Sequence, residues 1–389
     1  METRHGALSF VHTDGNTTVG VTETGGHMTA DFTLPNGRVI SPYSQSPWRP
    51  DEADPGLPPL LTHLRGDFFC LPFGPQQDGP PHGDPANGSW QRVPGSETAL
   101  TLRITTSDSG ALVTKTITAT NNALYIRNEV SRLDGRWSYG SHPILDFSHL
   151  PDEAGRVTTS PFRWASTYPG LFSNPDNQEY QALQPNTIFT DLAKVPLAPA
   201  PPHSAESKLD PGSLPTTDLT RYPARPGHDD LIMLVNAPAS PEQPFAWTAA
   251  VLDGYAWFCL KNPADFPATL FWISNGGRHS APWNGIHTKR LGLEEVCSYF
   301  CDDVADSRKD LLAGLDIPTT RTFKKGKATI LPLIHAVAPV AGDFGAVAAI
   351  TPVDRNTVRI TSDTGQAVDT PCNWPFVTQA SSAIRMQGP

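Results

Sequence analysis

Charge is scarce in this sequence. Asp, Glu, Lys and Arg make up 17% of its 389 residues, and the balance is acidic, at −10. Such a chain repels a nucleic-acid backbone unless its basic residues gather in one patch. They do not: the densest basic run, Lys324-Lys325-Gly326-Lys327, reads as a solvated turn. No nucleic-acid partner is therefore expected. No apolar run reaches the roughly 18 residues that a membrane span needs, so no membrane partner is expected either. The polar stretch from Met1 to Gly6 lacks the apolar core of a signal segment. Cysteines number five, an odd count at irregular spacing. Cys70, Cys259 and Cys297 lie in apolar, strand-like runs and read as buried thiols, while Cys297 and Cys301 lack a second ligand pair for zinc. A cytoplasmic location follows as an expectation. Phosphate-cradling loops, a dinucleotide glycine fingerprint and a serine elbow are also missing, and Asn275-Gly276-Gly277 reads as a turn after a strand. No cofactor and no metal are expected.

Proline is plentiful at 40 residues, and glycine adds 31. That composition opposes long helices and favours strands joined by turns. Residues 19–23 and 28–34 read as strands, with Asn36-Gly37 as a hairpin turn that calls for positive φ at both positions. From Ala99 to Val130 the alternation is regular, with Leu100, Leu102 and Ile104 on one face, which reads as an antiparallel, half-buried meander. Leu231–Val235, Phe245–Leu252, Ala256–Leu260, Thr269–Ser274 and Phe323–Val337 are further strand candidates. Val304–Leu315 is the one helical stretch, with Val304, Leu311, Leu312 and Leu315 on a stripe and Asp306 or Ser307 near its start. Residues 169–228 are long, weakly periodic and proline-rich, most of all at Ala198-Pro199-Ala200-Pro201-Pro202. They read as an excursion that covers one end of the fold, or as a partly mobile one. The expected architecture is all-β: one large antiparallel β-sandwich over residues 1–340, with an insertion at 169–228 and a C-terminal β extension, 341–389, packed on it.

Several segments carry candidate chemistry. Arg65-Gly66 precedes the apolar box Cys70-Leu71-Pro72-Phe73-Gly74. His82-Gly83 lies ahead of Trp90, His142 precedes Pro143, and Leu291-Gly292-Leu293 leads into Glu294-Glu295. With Gly25-Gly26 early in the chain, this order of motifs resembles the aldose 1-epimerase, or galactose mutarotase-like, superfamily, nearest the branch that includes the glucose-6-phosphate 1-epimerases. The likeness covers most of residues 19–337. It implies a many-stranded β supersandwich and interconversion of the α and β anomers of a sugar.

That chemistry can be argued on its own terms. A base takes the proton of the anomeric hydroxyl and an acid protonates the ring oxygen. The ring opens, the C1–C2 bond turns, and the ring closes from its other face. Both groups should titrate near the working pH, which suits a buried carboxylate and a histidine. By resemblance Glu294 matches the base, His142 the acid, His82 a histidine that holds the sugar near its ring oxygen, and Arg65 a sugar-binding arginine. Adjacent strand residues face opposite sides, so only one of Glu294 and Glu295 can enter a site, and the resemblance selects Glu294. Trp283, Phe73 and Trp90 lie beside the motif residues and are candidates for stacking on the C–H face of a sugar. Phosphosugar epimerases of the similar branch carry an arginine shortly after the His-Gly pair. Here Asp84-Pro85-Ala86-Asn87 fills that place without a cation, so an unphosphorylated sugar or sugar end-group is expected, with Asn87 among the substrate-binding candidates.

Plainer readings stand beside these. Glu294 and Glu295 can both be solvent-facing acids, His142 a hydrogen-bonded strand-edge histidine, His82 a loop residue and Arg65 a surface partner of Asp67. Each aromatic can be core, and Asp229 and Asp230 read best as exposed loop acids. In function, the alternatives are a non-catalytic carbohydrate-binding module on the same fold, a scaffold, or glycoside cleavage, which needs a second acid opposite Glu294. The expected partner is a small carbohydrate, and the expected assembly a monomer or homodimer.

Overall fold

The computed structural model describes residues 1–95, 97–199 and 214–382. Ala200-Pro201-Pro202 of the proline-rich run and the last seven residues lie outside them. Two large antiparallel sheets face each other. One has seven strands, in the order Phe162–Thr167, His228–Asn236, Ala268–Asn275, Arg290–Cys297, Tyr139–Ser141 and Phe69–Cys70, with Ile144–Asp146 also paired to Arg290–Cys297. The other has nine strands. Tyr255–Lys261 lies between Ala246–Val251 and Thr329–Pro339, and the meander Ala123–Ser131, Leu112–Thr120, Leu100–Thr105 follows.

The meander alternates because only one of its faces meets the core. Tyr255–Lys261 and Ala246–Val251 are buried at every position and show no alternation, as strands covered on both faces must. The inner face of Tyr255–Lys261 carries Trp257 and Cys259 against Leu291 and Leu293 of the facing sheet. Its outer face carries Phe258 and Leu260, and these are covered by Phe344, Ile350 and Ile360 of the C-terminal segment. That segment forms a three-stranded sheet, Val347–Asp354, Thr357–Ser362 and Ala367–Pro371, followed by the helix Pro375–Ser382.

Two local expectations are corrected. Gly37 has a positive φ but Asn36 does not, so the Asn-Gly turn is of another type. The helix expected over 304–315 stops after Val304–Ser307, capped by Asp303, whose Oδ1 accepts from the Ala305 amide at 2.6 Å. The Ser307 carbonyl accepts from the Thr319 hydroxyl at 2.6 Å instead of from an amide one turn on. Asp310 then turns at positive φ, and Leu311 and Leu315 are left exposed. The 169–199 excursion is packed rather than structureless: Gln181 Oε1 accepts from the Phe172 and Ser173 amides, and Leu183 and Val195 join the core.

Candidate active site

Strand parity divides the two adjacent glutamates. On Arg290–Cys297, the side chains of Leu291, Leu293 and Cys297 enter the core between the sheets, and Glu295 goes with them. Glu294 faces the other way, into a cavity of about 400 Å³ that it lines together with His82, His142, Trp272, Arg278 and Trp283. Neither acid is solvent-facing: Glu294 is 2% exposed and Glu295 0%.

The partner of Glu294 follows from register. Ser141 pairs with Glu295 and Ile144 with Gly292, which sets His142 and Pro143 across from Glu294 and Leu293. Pro143 has no amide to donate, so the strand is interrupted there, and its carbonyl accepts from the Leu293 amide. His142 Nε2 lies 3.1 Å from Glu294 Oε1. Gly292 makes room for this contact, because a Cβ at that position would come within 2.7 Å of Glu294 Oε1. Burial pushes the Glu294 carboxyl well above the ordinary value; Arg278 pulls it back and Glu295 adds to the rise. Burial holds His142 well below the ordinary histidine value, with His82 and His27 acting in the same direction. The two shifts favour a pair that holds one proton between its two facing atoms.

His82 approaches from a loop and stands edge-on to His142, with ring centroids 5.2 Å apart. Its φ is 62°, and the next residue must be glycine, since a Cβ on Gly83 would lie 2.0 Å from the Leu71 carbonyl oxygen. The Gly74 amide donates to His82 Nδ1 at 3.2 Å, which leaves the proton on Nε2 as a donor. Burial lowers its pKa to about 3.

The other residues singled out in the sequence divide. Trp283 lines the cavity, as stated, with Trp48 edge-on behind it. Phe73 is fully buried behind the two histidines, edge-on to His82 and stacked on His142, so it supports them instead of forming a sugar platform. Trp90 is core, its indole donating to the Pro85 carbonyl. Asn87 does not line the cavity and is turned to the protein: its amide nitrogen donates to the Pro81 and Gly83 carbonyls and its oxygen accepts from the Leu60 amide. Arg65 turns away from the cavity, donating to the backbone carbonyls of His63, Arg4 and His5, and does not pair with Asp67. Asp229 and Asp230, read as exposed, are each 1% exposed. Asp229 accepts from Ser274 Oγ and the Gly277 amide, and burial lifts its pKa to about 6 in spite of Arg278.

One arginine does line the cavity, from another segment. Arg278, directly after the Gly276-Gly277 turn, holds its guanidinium carbon 5.1–5.6 Å from the rings of Phe172, Trp272 and Trp283. Its Nε lies 3.5 Å from Asp229 Oδ2 and 3.9 Å from Glu179 Oε1. Tyr168 donates to Asp302 Oδ1 at 2.5 Å on the same rim. The available signals for these residues were a double glycine before an arginine and the aromatics flanking the 169–199 excursion, both of which look like ordinary loop.

No family profile and no curated protein matches the sequence. Solved structures do match in fold. A galactose mutarotase related enzyme from Lactobacillus acidophilus aligns over 86% of this chain and 98% of its own, with a TM-score of 0.52 at 11% identity. A candidate aldose 1-epimerase from Escherichia coli K12 aligns over 86% of this chain and 100% of its own, at 0.54 and 13%. A protein of Synechocystis sp. PCC 6803 gives 0.54 at 10% identity, over 87% of this chain and 99% of its own. The fold is galactose mutarotase-like. In this galactose mutarotase-like frame the Glu294–His142 pair and the aromatic walls lie on the open face of the seven-stranded sheet. All five cysteines are free, and among the described residues no group of three or more His, Cys, Asp or Glu is placed to hold a metal ion. No helix among them is long and apolar enough to cross a membrane.

Proposed function

We propose that this chain is an aldose 1-epimerase-like enzyme that interconverts the α and β anomers of an unphosphorylated sugar. The observation that carries the reading is the 3.1 Å contact between His142 Nε2 and Glu294 Oε1 at a cavity with tryptophan walls. One shared proton suffices for the reaction. With the proton on His142, Glu294 is a carboxylate that can take the anomeric proton while His142 protonates the ring oxygen. Ring closure from the other face returns both protons, so the pair ends as it began. His82 Nε2–H is a donor for a ring or hydroxyl oxygen, and Trp272 and Trp283 line the cavity as apolar walls beside Arg278.

The charge of the wall supports a neutral substrate. Arg278 is already countered by Asp229 and Glu179, and Asp302 lines the same cavity. A phosphate dianion would meet one partly neutralised cation among acids. On this reading residues 1–340 form the enzyme domain and 341–389 an extension packed on it.

NMR exchange spectroscopy on a panel of neutral aldoses and their 6-phosphates tests the proposal. Faster anomer exchange is expected for at least one neutral aldose, lost by about 10²–10⁴-fold in Glu294→Gln with the fold intact. Binding without faster exchange would instead identify a carbohydrate-binding protein. One observation favours a second reading. Asp302 is a further acid at the cavity, with its pKa raised by burial, and acid pairs cleave glycosides. Release of a free sugar from aryl glycosides would decide for that chemistry.

A further inference from the structure

The cavity that holds Glu294 and His142 does not end at its rim. A second cavity, of about 560 Å³, adjoins the first, of about 400 Å³, and the two share Pro75, Tyr168 and Asp302 in their walls. Glu294, His142, His82 and both tryptophans border the first alone. Three segments build the second: residues 75–77, Tyr168 just past the strand Phe162–Thr167, and residues 302–309 around the short helix Val304–Ser307.

The frame of the second cavity is braced by the protein's own hydrogen bonds. The Gln77 amide donates to Asp303 Oδ2 at 2.7 Å. Gln76 Nε2 donates to the Phe73 and Gly74 carbonyls, at 3.1 and 2.9 Å, and its Oε1 accepts from the Val304 amide at 3.3 Å. Other polar groups are left over, and they present surface. The Gln77 side chain is exposed and makes no hydrogen bond among the described residues. Lys309 Nζ pairs with Asp306 Oδ1, but its side chain is 60% exposed and its other ammonium protons remain for a ligand. At the junction, Tyr168 holds only Oδ1 of the half-buried Asp302, at 2.5 Å.

The two linings differ in kind. The first is rich in leucines and aromatic rings. Besides Pro75, Ala305 and the Tyr168 ring, the second has only amide, carboxylate and ammonium side chains. Hydroxyls suit such a lining, because they donate to carboxylates and accept from amide or ammonium groups. Three carboxylates stand against one lysine, itself paired, which disfavours an anionic ligand.

We infer that the second cavity is a subsite for the next sugar unit of a neutral, reducing oligosaccharide. The inference rests on the anomer-converting reading of the first cavity. That reaction needs a free anomeric hydroxyl, so the reacting unit is the reducing end, with C1 and the ring oxygen at Glu294 and His142. C4 lies across the pyranose from C1. A unit linked there leaves the reacting ring on the side away from the pair, passes Tyr168 and Asp302, and sets its hydroxyls among Gln77, Asp306 and Lys309. A single aldose leaves these groups to water.

NMR exchange spectroscopy at the reducing-end anomeric protons tests it. The probes are glucose, galactose and mannose, each beside a 4-linked disaccharide that carries it as the reducing unit. At least one disaccharide should exceed its parent aldose by about fivefold or more in kcat/KM, mostly through KM. Gln77→Ala combined with Lys309→Ala, both at exposed positions, should return that ratio to about one. A matching disaccharide with a uronic acid as its second unit should show no gain. Faster exchange for aldose and disaccharide alike, with equal kcat/KM, overturns the inference and leaves the first reading standing. So does a gain that survives the double variant, or an equal gain from the uronic-acid unit. No faster exchange for any sugar overturns the first reading and this inference with it.

Discussion

Glu295, the neighbour that strand parity turns inward, is held by a closed network spanning both sheets. Lys261 Nζ donates to Glu295 Oε2 and, at 3.0 Å, to Thr248 Oγ1; the hydroxyls of Thr248 and Thr269 donate to Glu295 Oε1 and Oε2, each at 2.8 Å. Both charged side chains are 0% exposed. In Lys261→Met the carboxylate keeps two hydroxyl donors and loses its cation. Removing one member of a buried pair costs about 3–5 kcal/mol. The cost has a ceiling, because the stranded acid can take a proton from solvent. For a carboxyl of ordinary glutamate acidity that costs about 3.7 kcal/mol at pH 7 and about 1.6 at pH 5.5. The deficit of Lys261→Met should therefore shrink by about 2 kcal/mol between these pH values. The sign follows from linkage: the variant raises the folded-state affinity of this acid for a proton, so the stability it retains is lost as pH rises. Urea denaturation of the parent, Lys261→Met, Glu295→Gln and the double variant at both pH values is the assay. The double variant, whose amide can still bond both threonines, should lie within about 1–2 kcal/mol of the parent, giving a coupling of about 3 kcal/mol or more. A Lys261→Met deficit under about 1 kcal/mol, or one equal at the two pH values, would refute the argument.

Other outcomes follow from the same coordinates. Gly292→Ala puts a Cβ 2.7 Å from Glu294 Oε1 and should cut anomer exchange at least about tenfold while costing only about 1–3 kcal/mol in urea unfolding. An unchanged rate would mean that the carboxylate position is not what matters. Asn87→Ala releases the loop that carries His82 from the Leu60 amide and should lower stability by about 1–3 kcal/mol, seen as earlier amide exchange over residues 81–88. In the pH–rate profile, the lowered His142 and raised Glu294 define a broad plateau, with the acid limb below 6.5 and the alkaline limb above 4.5. A single narrow optimum at pH 6.5 would contradict the shared-proton state. Burial also holds His27 and His82 near 3 and His335 near 4. The unfolded chain binds these protons first, so stability present above pH 6.5 is lost as pH falls, by about 2 kcal/mol per histidine between pH 7 and 5. Asp229, raised to about 6, works in the opposite direction but offsets only about one of the three. The urea midpoint should therefore drop clearly at pH 5, and a flat midpoint would count against neutral buried histidines.

Glu294 and His142 were reached in the sequence through the order of motifs that resembles a known family. Parity says that one of Glu294 and Glu295 can enter a site but not which, and the register that sets His142 across from Glu294 is a property of the folded sheet. Arg278 was not legible because its place is set by three rings at no regular spacing, Phe172 from a distant segment and Trp272 and Trp283 from either side of a turn. Arg65 shows the converse. Its place in the chain matches a sugar-binding position, but its direction is decided by the carbonyls of Arg4 and His5, sixty residues away. The same holds for Asp229. An acid at the head of a strand looks solvated until the 274–277 turn folds back over it and supplies a hydroxyl and amide donors. Burial of a charged side chain is a property of what closes over it. In this fold the closing segments are the glycine- and proline-rich loops, whose sequences specify turns but not the strand against which each turn comes to rest.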